Sequence, residues 1–289
     1  MSDGGGADLP ADASYSGETA PNAKRLTPAS VLQALSTQAR VIQALVLRDT
    51  LSRYGQHKLG FLWALVEPLV MVSVLVGIMS FVRTGNPGGI PLVLFMITGF
   101  VPFTMFRNPL NNMQGTIEAN RVLLGFPQVT TFDVIVARCV LECAVLLVVF
   151  PVILIIAHAF GYDIRIENPL GVLAACLLLM TLGSGLGFLF AAVSPVMPSI
   201  RQVTTPVLGR PLFLSSGLFF TADSLPTAVR EWLLYNPLLH LLELLRTEFF
   251  YEFDSPYGDW GYASLWAGGA LALGLLTHQA LRKRAIVGL

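Results

Sequence analysis

Several runs of about 20 residues carry few or no charges, and no other feature of this chain narrows its fold as much. A helix of that length crosses a hydrocarbon core of roughly 30 Å. The runs lie at about 59–82, 90–112, 133–160, 168–193, 200–221 and 259–281. They predict an all-α integral membrane protein with six transmembrane helices. Composition agrees, since only 12% of residues are charged and 54% are hydrophobic, whereas an ordinary soluble domain carries about twice that charged share.

The formal net charge is zero, so the total points to no nucleic-acid partner and the distribution must carry the argument. Arg40, Arg48, Arg53 and Lys58 precede the first run, and Arg282, Lys283 and Arg284 follow the last. Basic residues flanking spans stay in the cytoplasm, so both termini are predicted there, and an even number of spans agrees. Residues 1–27 are rich in Gly, Ala, Ser, Asp and Pro and hold no apolar core. They predict a disordered cytoplasmic tail without the apolar stretch of a cleaved secretory signal.

Over 28–58, Val31, Leu32, Leu35, Ala39, Ile42, Leu45 and Val46 recur at spacings of three and four, opposite Gln33, Ser36, Thr37, Arg40 and Gln43. This is the pattern of an amphipathic helix. Its place before a span suits the cytoplasmic interface; packing against a neighbouring protein is the other reading. The membrane domain then occupies 59–284, followed by a short cytoplasmic C-terminus, 285–289.

Two connections stand out. The cytoplasmic loop 113–132 predicts a short helix from Thr116 to Leu124, stopped by Gly125 and Pro127, which either inserts into a partner or simply connects. The external segment 222–251 predicts two short helices, starting at Leu225/Pro226 and at Asn236/Pro237. Asn as cap with Pro at the first helical position is a strong start signal. Neither helix is long enough to span, so a re-entrant or interfacial pair fits best.

Enzyme signatures are scarce. No phosphate-binding GxxxxGK[ST] loop occurs, and the lysines are Lys24, Lys58 and Lys283 alone; this chain is not expected to hydrolyse ATP. Cys139, Cys143 and Cys176 lie in apolar runs, where a thiol packs as a weakly polar hydrophobe, and no metal site is expected. The glycines of LGSGLGF, 182–188, read as close helix contacts. Asp49, Ser52 and His57 form no nucleophile arrangement by spacing.

Ionisable groups inside apolar runs are sharper, because such a group faces protein or water and has a partner. Glu67, Glu142 and Arg210 qualify. Glu142 follows Arg138 by four residues, the spacing of an ion pair on a helix. Glu67 precedes Pro68, which should bend the first span. Arg210, between Pro206 and Pro211, either faces a wet pathway or pairs with a neighbouring span. Phe100, Phe103 and Phe106 form an aromatic stripe that packs against helices or offers faces for sugar rings.

LVLRDTLSRYGQHKLGFLWALVEPLV, 45–70, resembles the segment entering the first span of ABC exporter permeases for bacterial surface polysaccharides, in particular the KpsM-type capsule permeases. IEAN (117–120), FDVIVARCVLE (132–142) and NPLLHLLELLR (236–246) resemble family segments in the same order. The resemblance implies a homodimeric inner-membrane permease for a lipid-linked, acidic capsular polysaccharide. Two copies of a separate ATPase subunit would hold ATP-Mg, and this chain no cofactor. It also implies a periplasmic co-polymerase and an outer-membrane exporter as partners, besides membrane lipid.

In that light Arg48, Arg53, Tyr54, His57, Lys58, Glu67, Arg210, Phe100 and Phe103 are the candidate substrate contacts, with the basic members equally explained as topology anchors. Ile117, Glu118, Ala119, Asn120 and Arg121 are the candidate ATPase-coupling residues. Trp232, Tyr235, Asn236, His240, Glu243 and Arg246 are the candidate external gate. A membrane-embedded lipid-sugar enzyme would need a carboxylate or metal cluster absent from the motifs, a lone secondary transporter would need internal repeats, and O-antigen or teichoic-acid export stays open as the substrate alternative.

Overall fold

The computed structural model describes residues 28–54, 60–82, 85 and 87–287. The expected disordered tail, His57, Lys58 and the side chain of Tyr54 lie outside the described residues. The chain divides into two compact units, 1–37 and 38–289; every site discussed below lies in the second.

All regular structure among the described residues is helical. The order is α1 (Pro28–Tyr54), α2 (Gly60–Val82), α3 (Leu92–Met113), α4 (Thr116–Ala119), α5 (Thr131–Ala159), α6 (Pro169–Val193), α7 (Ile200–Thr204), α8 (Arg210–Ser215), α9 (Thr227–Leu233), α10 (Pro237–Phe249) and α11 (Trp260–Val287). Several ends follow from local chemistry. Thr130 and Asp133 close a reciprocal capping box at the start of α5, and Asn168 and Asn236, each followed by Pro, cap α6 and α10. Each cap satisfies N–H groups the helix itself leaves open and contributes about 1 kcal/mol.

α6 is the hub, packing on α3, α10 and α11. Its glycines permit this. A Cβ on Gly183 would overlap the Phe106 carbonyl of α3, and one on Gly185 would overlap the backbone of α11 at Leu271. Close backbone approach of this kind is how membrane helices gain contact where lipid removes the hydrophobic drive between them. α11 is further tied to α5 by Thr131 Oγ1 and His278 Nε2, 3.0 Å apart.

By length and composition, four helical segments among the described residues can cross a membrane: Leu62–Val82, Leu92–Met113, Thr131–Ala159 and Pro169–Val193. These match the first four expected spans within a few residues. The fifth departs. Instead of a helix over 200–221, α7 widens into a π-helical turn at Thr205–Gly209, α8 ends at Ser215, and Gly217 takes φ 79°. Pro206 and Pro211 each remove a ladder N–H, and a π turn is one way a helix absorbs that loss. α11 has ample length, but Gly261, Tyr262, Gly268, Gly269 and Gly274 dilute its apolar content.

The amphipathic face of α1 is used partly inside the chain. Leu45, with Val41, Ile42 and Val46, packs on Met113, Ile117, Val134 and Ile135, while Leu47 and Leu51 stay exposed one turn apart. The pair of short helices expected over 222–251 also forms, as α9 and α10. Its second helix is more deeply embedded than an interfacial element requires, because Leu238, Leu239, Leu241, Leu242 and Leu245 are all buried.

Candidate functional site

A cavity of about 380 Å³ opens between the end of α1, α2, α3 and α5. Its wall is apolar along Trp63, Val70, Met71, Phe100 and Leu146, and its polar groups are Arg53, Glu67, Thr104, Arg107, Asn108 and Glu142. α2 supplies Glu67 and Pro68 on adjacent positions; Pro68 is buried, Glu67 is exposed, and the helix continues unbroken past both.

The charges divide into committed and uncommitted. Glu142, whose side chain is only 3% exposed, accepts a hydrogen bond from Arg53 Nη1 at 2.7 Å. Arg138 Nε lies 3.1 Å from the same oxygen, the ion pair expected from their spacing, although its N–H is not aligned for a hydrogen bond. A carboxylate held by two guanidinium groups is a structural joint between α1 and α5. Arg107 and Glu67 make no ion pair among the described residues. The cavity therefore pairs a greasy wall with one cation and one carboxylate still available.

Arg107 was absent from the candidate residues read from sequence. The rule that singled out Glu67 and Glu142, an ionisable group within an apolar run, applies equally to it. Conversely, the basic cluster Arg48, Arg53, His57 and Lys58 does not act as one group where it is described. Arg48 points away from the first cavity and bonds Asp49 and Asn120, lining a separate polar cavity of about 410 Å³ with Arg138 and Arg201. Arg210 is exposed at the start of α8 and is not among the residues lining the first cavity.

The aromatic stripe needs correction. Phe103 is fully buried, 5.5 Å from Phe213 and 6.1 Å from Phe106, so it has no face to offer a sugar. Phe100 borders the cavity, but it is 4% exposed and meets Phe213 edge-on. The stripe is core on this helix because α3 is the most enclosed of the candidate spans.

The loop between α3 and α5 is shorter as a helix than expected. One turn, Thr116–Ala119, ends at Asn120, whose side-chain Nδ2 donates to the Thr116 carbonyl at 2.8 Å; such local side-chain bonds compete with helix continuation. A 3-10 turn at Leu123–Gly125 follows. Ile117 and Asn120 face inward, at 1% and 8% exposure, so the coupling role placed on them has no outward surface to act through. The outward residues include Ala119, Arg121, Val122 and Phe126, the last two missed from sequence. Glu118 bonds Arg201 of α7 at 2.7 Å, and Gly115 makes room, since a Cβ there would lie 2.6 Å from Arg201 Nη2. The loop is thus joined to α1 through Arg48 and to α7 through Arg201.

At the far end, Trp232 and Tyr235 are exposed, at 78% and 73%, and Asn236 caps α10 while donating to Ser215 Oγ. Glu243 and Arg246 are core residues, not gate surface. Arg246 has no exposed area; it donates to the Gly217 carbonyl at 2.7 Å, and its guanidinium carbon lies 3.8 Å from the Phe95 ring centre. Burial pushes the Arg246 pKa down to about 10 against the opposing field of Glu243, which leaves it charged at neutral pH. Glu243 accepts the Ala222 N–H at 2.9 Å. Together they latch α10 to the turn after α8, with Arg246 stacked on α3.

A family model described as ABC-2 type transporter matches residues 40–250. The chain is 31% identical over 242 residues to a polysialic acid transport protein KpsM of Escherichia coli, covering 84% of this chain and 93% of the relative. Identity is 34% over 254 residues to the capsule polysaccharide export inner-membrane protein CtrC of Neisseria meningitidis serogroup A, covering 87% and 95%. It is 30% over 254 residues to the capsule polysaccharide export inner-membrane protein BexB of Haemophilus influenzae, covering 87% and 94%.

Proposed function

The chain belongs to the ABC-2 type transporter family, and from that premise we propose that it is the inner-membrane permease subunit of an ATP-driven exporter for a lipid-linked capsular polysaccharide. The observation that carries this reading is the likeness to capsule exporters over more than four-fifths of the chain. In this reading two copies enclose the path and two copies of a separate ATPase bind the outward residues of the cytoplasmic loop. α7–α8 and α11 complete six spans, with both termini cytoplasmic. α9 and α10 stand over the exit, beside periplasmic co-polymerase and outer-membrane export partners.

The entrance cavity suits the substrate. A hydrophilic glycan cannot enter hydrocarbon, whereas its lipid end must leave it sideways. Val70 and Met71 on exposed faces of α2 give the lipid an apolar approach. Arg107 supplies an uncommitted cation for an acidic head group, and a charge-assisted hydrogen bond in a partly dehydrated site is about twice as strong as a neutral one. Glu67 opposes a second anion and so favours release of the head group once the path opens. Motion of the loop reaches this cavity through Arg48 and α1, whose Arg53 holds Glu142 in its wall.

Deleting the gene from its native capsulated strain and restoring it on a plasmid tests the reading. Cytoplasmic accumulation of capsular glycan, relieved by the restored gene and dependent on the ATPase subunit, is the expected result. Normal capsule with loss of a different surface glycan would move the assignment to O-antigen or teichoic acid. Export without any ATP-hydrolysing partner would reject it.

A further inference from the structure

Beside α9 and α10 lies a second pair of cavities. One, of about 660 Å³, is lined by Glu231, Trp232, Tyr235, His240, Asp259 and Tyr262. The other, of about 650 Å³, shares Trp232 and Tyr235 as walls and is otherwise apolar along Phe106, Leu186, Leu212 and Leu273. We propose that the two together bind a phospholipid whose head group carries a primary ammonium.

The first cavity is rich in acceptors and poor in donors. His240 Nε2 lies 2.8 Å from the Leu234 carbonyl, which can only accept, so Nε2 donates. The other ring nitrogen, Nδ1, is buried without a partner on a residue only 8% exposed. The Tyr262 hydroxyl already donates to the Tyr235 carbonyl at 2.8 Å. Glu231 and Asp259 add carboxylate oxygens, one of which takes the Tyr262 N–H at 3.0 Å. Apart from the Trp232 indole N–H and the Tyr235 hydroxyl, the side chains here want donors from the ligand.

Charge and shape narrow the ligand. Two carboxylates beside the rings of Trp232, Tyr235 and Tyr262 form the surroundings that attract a cation. An acidic glycan is repelled, and a neutral hydroxyl leaves the two charges uncompensated. A quaternary ammonium has no N–H for the Glu231 and Asp259 carboxylates, whereas a primary ammonium has three. The shared aromatic walls then lead from the charged mouth to a groove with the surface chemistry of an acyl chain. A small amine satisfies the mouth alone; an amine lipid satisfies both.

The full-length protein purified in detergent tests this without any transport measurement. Native mass spectrometry is run with equal amounts of phosphatidylethanolamine, phosphatidylglycerol and phosphatidylcholine. Phosphatidylethanolamine should be retained about fivefold over either of the others, the ratio expected from roughly 1 kcal/mol of cation–π and hydrogen-bond preference. The double variant Glu231→Gln, Asp259→Asn should hold all three lipids alike. Free ethanolamine at millimolar concentration should fail to displace the lipid; displacement would show that the groove takes no part. Equal retention of the three lipids by the unaltered protein, or a preference for phosphatidylglycerol, overturns the proposal even if the variant cannot be made.

Discussion

Arg246 and Arg107 both interrupt apolar helices, yet the molecule uses them in opposite ways. Arg246 is sealed inside the chain, bonded to the Gly217 carbonyl and stacked on Phe95. Arg107 is half-buried at a cavity wall with no ion pair among the described residues. The segment around α10 thus spends its charges on holding itself together, while the cavity between α2, α3 and α5 keeps one in reserve. An intramembrane charge signals a constraint, and the surroundings decide whether that constraint is structural or functional.

The sharpest way to break the comparison is Arg246→Met. It strands the Gly217 carbonyl and leaves Glu243 without its neighbouring cation, so a loss of about 3–5 kcal/mol is expected, as for other broken buried charge networks. Membrane abundance and thermal unfolding in detergent should both fall. Glu142→Leu comes next. It leaves Arg53 and Arg138 facing each other, but both are partly exposed, so a smaller loss of about 2 kcal/mol is expected from the same two measurements.

Arg107→Gln should reverse the pattern, with abundance and melting unchanged and export reduced. Loss of one charge-assisted contact of about 1.5 kcal/mol corresponds to roughly tenfold slower export, read as surface capsule per permease. A folding defect instead would make Arg107 a second Arg246. The smallest effect belongs to Glu118→Gln, which removes a half-exposed ion pair to Arg201 worth about 0.2–1 kcal/mol. Export should drop slightly while ATP consumption does not, so the ratio of glycan exported to ATP hydrolysed is the quantity to measure; the exchange Glu118→Arg with Arg201→Glu should recover it.

Much of the architecture was legible in the sequence because its causes are local. Four apolar runs became helices near their expected bounds, and Asn236 with Pro237 started α10 where the cap signal placed it. The (i, i+4) pair of Arg138 and Glu142 formed as its spacing predicts. The fifth run carries a π turn and ends its helix at Ser215, because composition does not register what Pro206 and Pro211 do to a hydrogen-bond ladder. The coupling helix was overextended because the Asn120 side chain ends it after one turn.

Sequence alone determined which segments are helical and apolar, since length, hydropathy and capping act within a few residues. Tertiary structure decided which charges are spent and which remain. Arg53 meets Glu142 from 89 positions away, Gln38 meets Asp133 from 95, and Arg201 meets Glu118 from 83. A guanidinium satisfies whichever acceptor folding brings within about 3 Å, and only the packed helices determine which acceptor that is.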